Sequence, residues 1–191
     1  MRKFITHLQE NFGFSKEEVE EIVPLFEKVT FEKNDFLIQQ MGYSDQVFFI
    51  QEGLVREFFT HDNVSDEDNT TQFVSEGDFY FSAYAAIEDQ RSTFFTQALE
   101  PVNAMMAKKG AILELLYKSF TIDRLVLLIM ADSLLREEKS KRIFMKTRKA
   151  AERYNLFNEV FPQLQDRISD KYVASFLQIN SSTLSRIRSK K

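Results

Sequence analysis

At 191 residues the chain has material for one large domain or two small ones, and its twenty phenylalanines with no tryptophan point to a well-filled apolar interior. The absence of cysteine excludes disulfides, thiolate-ligated clusters and thiol redox switches, and fits a reducing cytoplasm. The net charge of −4 is unevenly spread: residues 1–135 hold 11 Lys/Arg against 23 Asp/Glu, a balance of −12, whereas residues 136–191 hold 14 against 6, a balance of +8. An acidic body with a basic C-terminal third suits a molecule whose end alone meets a polyanion.

The N-terminal stretch, Met1 to Glu18, has no long apolar core, so no secretory signal is expected. Phe4, Ile5, Leu8 and Phe12 fall at helical spacing before Gly13, and Ser15 opens a capping box with Glu18 ahead of Val19, Ile22 and Val23. From about Phe26 to Lys108 the texture changes to short β-branched and aromatic runs: Lys28–Phe31, Phe36–Gln40, Gln46–Gln51, Leu54–Phe59, Thr70–Val74, Thr93–Ala98 and Val102–Ala107. Turn residues separate them at Asn34-Asp35, Gly42, Glu52-Gly53, the polar loop His61–Asn69, Glu76-Gly77-Asp78 and Glu100-Pro101. Many short strands at fairly regular spacing imply an antiparallel sandwich or barrel, most simply a jelly roll.

Helical patterns follow over Gly110–Tyr117, Asp123 to about Arg142, and about Thr147 to Phe161. In the second, Leu125, Leu128, Ile129 and Leu135 form a broad apolar stripe, followed by a charged end with Arg136, Glu137, Glu138, Lys139 and Lys141. That stripe either packs on the β-domain or pairs with a second copy, and the dimer is the favoured reading. The apolar run Leu125–Met130 is far too short to cross a bilayer, so no membrane partner is expected.

The last stretch holds two short helical patterns. Lys171–Leu177 puts Val173, Phe176 and Leu177 on one face; after Gln178, Ile179 and Asn180, a Ser181-Ser182-Thr183 run offers N-capping hydroxyls to a second helix through Ser189. Leu184 and Ile187 then point inward, leaving Ser181, Ser182, Ser185, Arg186 and Arg188 outside. Two helices about a three-residue turn read as a helix-turn-helix, whose second helix offers its polar face to the major groove of double-stranded DNA. Arg186 can donate two hydrogen bonds to a guanine edge, while Arg188, Lys190 and Lys191 would neutralise phosphates. A solvated amphipathic hairpin without DNA affinity is the plain alternative.

A β-roll, a long helix and a terminal helix-turn-helix, in that order, resemble the Crp/Fnr family of bacterial transcription regulators over nearly the whole chain. The most specific part, Tyr172-Val173-Ala174-Ser175-Phe176-Leu177 followed by Thr183-Leu184-Ser185-Arg186-Ile187-Arg188, looks like the branch found in Bacteroidetes-type bacteria. Gln51-Glu52-Gly53-Leu54-Val55-Arg56 and Glu76-Gly77-Asp78-Phe79 resemble strand-and-turn signatures of the family's cyclic-nucleotide-binding fold. The resemblance implies an α+β chain: an antiparallel β-roll effector domain over 1–118, a dimerisation helix over 119–145 and a DNA-binding domain over 146–191. Its partners would be DNA, a second copy and RNA polymerase. Arg186 falls where the family's base-reading arginine lies, with Ser181 and Ser182 at neighbouring contact positions. Members often carry glutamate where Ser182 stands, and glycine where Gln178 makes the turn.

The effector pocket departs further from the family pattern. Members that bind cyclic AMP carry Gly-Glu-Leu after the Gly-Asp-Phe turn and close the cassette with Arg-Ser or Arg-Thr, holding the cyclic phosphate with arginine and backbone N–H groups and the ribose with glutamate. Here the cassette reads Gly77-Asp78-Phe79-Tyr80-Phe81-Ser82-Ala83-Tyr84 and later Gln90-Arg91-Ser92. Arg91 and Ser92 remain; Phe81 and Ser82 stand at the glycine and glutamate positions. Three readings stay open, in this order: no small molecule, a different and more apolar anion around Tyr80, Tyr84 and Arg91, or a cyclic nucleotide in altered geometry. Catalysis is not expected, because His7 and His61 are the sole histidines and neither a phosphate-binding loop nor a nucleophile elbow occurs. The competing function is a ligand-sensing or protein-interaction module without sequence-specific DNA binding.

Overall fold

The structure, a computed structural model, describes residues 1–42, 44–60, 68–82 and 91–189. Two helices open the chain, α1 (Arg2–Glu10) and α2 (Lys16–Ile22), followed by a 3-10 turn over Val23–Leu25 that admits Pro24. Phe4 and Leu8, one turn apart on α1, are fully buried. The capping box is present: Glu18 N–H donates to Ser15 Oγ (3.2 Å), and Ser15 N–H donates to Glu18 Oε2 (2.7 Å).

Eight strands follow among the described residues: β1 (Phe26–Phe31), β2 (Phe36–Ile38), β3 (Gln46–Glu52), β4 (Val55–Thr60), β5 (Asp68–Val74), β6 (Phe79–Phe81), β7 (Phe95–Ala98) and β8 (Val102–Lys108). They form two four-stranded sheets, ordered β1-β8-β3-β6 and β2-β7-β4-β5, with β8 antiparallel to both β1 and β3. This is the expected antiparallel roll. Strand β6 is the addition: three residues directly after the Gly77 turn, all aromatic, carry no alternation that would mark them as a strand. Most of the loop expected over His61–Asn69 lies outside the described residues; its last two positions belong to β5.

Alternate residues of the first sheet explain why its strands are so rich in phenylalanine. Phe49, Phe79, Met105 and Ala107 join a core with Phe4, Leu8, Ile22 and the long helix, while Phe48, Ile50, Tyr80, Ala104 and Met106 join another with Leu37, Ile38, Val55, Val74 and Ala98. A sheet covered on both faces has no reason to alternate apolar with polar.

Five helices complete the described chain: α3 (Lys109–Leu115), α4 (Phe120–Lys146), α5 (Ala150–Val160), α6 (Asp170–Leu177) and α7 (Ser181–Arg188). The long helix α4 runs 27 residues and extends past its expected limits at both ends. At its start Ser119 Oγ accepts from Ile122 N–H (3.3 Å), and the Asp123 carboxylate accepts from Tyr117 N–H (2.8 Å). No helix among the described residues is long and apolar enough to cross a membrane.

The stripe expected to join two subunits is corrected. Leu125 (0% exposed) and Ile129 (5%) are buried in the core beside Ile112 and Ile122, with Leu128 packed at its edge, so they are spent within the chain. Leu135 is exposed, and the other exposed apolar side chains of α4 are Phe120, Leu127, Met130, Leu134 and Met145. Arg136, the first residue of the charged end, is buried.

The chain divides into two compact units, residues 1–57 with 73–133 and residues 58–72 with 134–191. The second unit has its own core, in which Phe176 packs its ring against those of Phe144 (5.9 Å), Phe157 (5.6 Å) and Phe161 (6.3 Å). Val173, Leu177 and Leu184 are buried as well.

Candidate functional site

Helices α6 and α7 meet across Gln178, Ile179 and Asn180, the three-residue turn expected from the sequence. Gln178 makes the turn by adopting the left-handed conformation (φ 54°, ψ 48°), while its N–H donates to Ser175 O (3.0 Å) and Ile179 N–H donates to Ala174 O (3.0 Å). A side chain in that region costs about 1–2 kcal/mol, which the buried Phe176 and Leu177 just before it offset by anchoring the helix end. The N-cap of α7 is Asn180, not the serine run: Asn180 O accepts from Thr183 N–H (2.9 Å) and Leu184 N–H (3.1 Å) without a side-chain cap, and Ser181 is already in the first turn.

Leu184 fixes the orientation of α7 by being fully buried, and Ser181, Ser182, Ser185 and Arg186 are exposed together on the outer face. The Arg186 guanidinium lies back along its own helix, with contacts of 3.4 Å to Ser182 O and Thr183 Oγ1. Bonds this long leave it easily redirected. Arg188 differs from expectation. Its guanidinium pairs with the Asp170 carboxylate (2.7 Å) and lies over the Tyr154 ring (5.6 Å), bracing α7 on α5 and α6 instead of standing in solvent. Arg153 adds a second brace, donating to Leu177 O (3.1 Å) at the end of α6. Lys190 and Lys191 lie outside the described residues.

The expected effector residues are scattered. Tyr80 is buried inside the roll, where its hydroxyl donates to Glu57 Oε2 (2.7 Å) and lies 2.7 Å from Thr96 Oγ1. Phe81, one residue on, faces the other way and lines an apolar cavity of about 190 Å³ with Val47, Ile112, Leu116, Val126 and Ile129. Ser82 is buried. Ser92, also buried, turns its hydroxyl onto its own loop, donating to Phe94 O (2.8 Å) and accepting from Phe94 N–H (3.2 Å). Arg91 is exposed and reaches Met41 O (3.3 Å). Tyr84 lies outside the described residues.

Two buried residues that the sequence reading passed over, Glu57 and Thr96, thus hold the polar centre of the roll. The signal for Glu57 was present: a carboxylate inside the run Val55-Arg56-Glu57-Phe58-Phe59 needs a partner. Arg56 beside it is buried too and donates twice to Gln97 Oε1 (3.2 and 3.0 Å). Among the described residues no group of three or more His, Asp or Glu side chains could hold a metal ion.

Residues 28–119 match the family model of the cyclic nucleotide-binding domain. The fold is shared with FixK2 from Bradyrhizobium japonicum, at 16% identity over 86% of this chain and 83% of that one (TM-score 0.69). It is shared with a CooA mutant from Carboxydothermus hydrogenoformans, at 14% identity over 96% and 83% (TM-score 0.66). The global regulator CLP of Xanthomonas campestris aligns at 13% identity over 92% and 91% (TM-score 0.68). At such identities the likeness is one of fold. No curated protein matches the chain in sequence.

Proposed function

We propose that the chain is a dimeric DNA-binding transcription regulator of the Crp/Fnr type, of the Bacteroidetes-type branch, acting in the cytoplasm with RNA polymerase as a further partner. The observation that carries this reading is the outer face of α7: Ser181, Ser182, Ser185 and Arg186 stand exposed together on a short braced helix, within the basic third of an otherwise acidic chain. The small serines let the helix approach base edges, and Arg186 is the reading residue. Residues 1–118 act as the effector domain and 146–191 as the DNA-binding domain. A second copy joins through α4, where Phe120, Leu127 and Leu134 recur every seven residues with Met130 between them, the spacing of a helix-pair seam.

The match to the cyclic nucleotide-binding domain and the c-di-GMP responsiveness of the regulator CLP support an effector role for the roll. In this chain Tyr80 takes up Glu57 and Thr96, and Ser92 is turned onto its own loop, so an effector other than cyclic AMP, or none, is the consistent reading. The test is fluorescence anisotropy with duplex DNA at 50 and 200 mM salt, wild type beside Arg186→Ala. Wild-type binding weakens by orders of magnitude across that range, and Arg186→Ala loses sequence preference while keeping most of its non-specific affinity. An unchanged preference in Arg186→Ala would remove it as the reader. Calorimetric titration with cyclic AMP should release little heat; micromolar binding would overturn the pocket assignment.

A further inference from the structure

Ser175 lies in α6, the helix just before the proposed reading helix, and its hydroxyl makes two hydrogen bonds more than a hundred residues away in sequence. It accepts from Thr70 N–H (2.9 Å) and donates to Asp68 O (2.8 Å). Both partners belong to β5, which stands last in its sheet order, β2-β7-β4-β5. In an extended strand the N–H of one residue and the C=O two positions earlier point to the same side. One hydroxyl therefore sits where a further strand would have placed its own carbonyl and amide. Ser175 closes two rungs of a strand edge with a single side chain.

The geometry points to a latch. Ser175 ties the hairpin end formed by β4 and β5 to the α6–α7 pair, all of it within the second compact unit. Thr70 is buried, and its N–H donates to this hydroxyl while α6 is docked. Two hydrogen bonds that water can replace on separation make the contact reversible rather than permanent. On the other side Ser175 O accepts the N–H of Gln178, the residue that turns the chain into α7, so the latch and the turn share one residue. Movement of the β4–β5 hairpin is thereby transmitted to the orientation of α7, and engagement of α7 is transmitted back to β5.

The inference deepens the DNA-binding reading in one arm of its test and is independent of it in the other. Hydrogen–deuterium exchange is measured on the full chain as wild type, Ser175→Ala and Ser175→Thr, the last keeping the hydroxyl. Ser175→Ala is expected to speed exchange at the Thr70 amide about tenfold and, with it, at the Gln178 and Ile179 amides, while Ser175→Thr stays near wild type. Duplex affinity should shift at least threefold in Ser175→Ala and return in Ser175→Thr. Unchanged exchange at Thr70 overturns the latch. Faster exchange at Thr70 alone, with the turn amides and duplex affinity unmoved, overturns the coupling and leaves a local contact. Should no variant bind duplex at all, the DNA-reading proposal fails, and the coupling stands or falls on the turn amides.

Discussion

His7 experiences what a phenylalanine-rich interior does to a titratable ring. It packs against Phe12 (4.8 Å), Phe49 (4.9 Å) and Phe79 (5.8 Å), and its Nε2 is buried without a hydrogen-bond partner among the described residues. Burial holds its pKa below the ordinary imidazole value, with Asp132 and Asp78 pulling weakly the other way. The unfolded chain then binds the proton more readily than the folded one. Stability at His7 is full above about pH 6.5 and is lost as pH falls from there through the folded value. Urea unfolding at pH 7.5 and 5.5 should show a loss at the lower pH that is smaller in His7→Phe, which fits the aromatic surroundings without a charge; an equal loss in both would remove His7 as the cause. Gln178 carries the opposite kind of cost, a strained backbone. Gln178→Gly should raise stability by about 1 kcal/mol in the same measurement, because glycine enters the left-handed region without a Cβ clash. The resemblance had exposed the departure at Gln178, but which residue capped α7 was not legible. Serines, threonine and asparagine all cap well, and the choice of Asn180 follows from where Leu184 must be buried.

Helix α4 shows where periodicity stops being informative. Ile122, Leu125 and Ile129 make one apolar face; Phe120, Leu127, Met130 and Leu134 make another, so the sequence carries two stripes and no mark of which turns inward. The packing of Phe49, Met105 and Ile112 decides it. Two consequences separate the faces. Leu125→Ala should cost about 2–4 kcal/mol of stability, as a truncation in a closed core. Leu127→Glu with Leu134→Glu should leave thermal stability of the monomer nearly intact, while sedimentation shows the dimer lost. If the double variant sediments as wild type, α4 is not the subunit contact. Most strands were legible because turn residues bracket them, and β6 was not, because Phe79-Tyr80-Phe81 is too short and too uniformly apolar to show a period.

At the scale of the molecule, charge is the feature that sequence conveys best. The −12 and +8 segments need no fold to be read, and they put the excess positive charge in the C-terminal third. The division into compact units was less accessible, since it runs within α4 and assigns the end of β4 and most of β5 to the C-terminal unit, a grouping set by contacts far apart in sequence such as Ser175 with Asp68 and Thr70. The proposed effector pocket was legible as a departure from a pattern, but Glu57 and Thr96, which hold the Tyr80 hydroxyl, come from strands that only the fold brings together. The proposed function requires two copies of the chain to read DNA through α7. The most direct measurement is selection of bound duplexes from a random pool by the full chain, wild type beside Arg186→Ala. A two-fold symmetric consensus is expected, with half-sites about one helical turn apart, blurred at one position of each half by the substitution. Recovery of no consensus, or of the same consensus from both proteins, would contradict it.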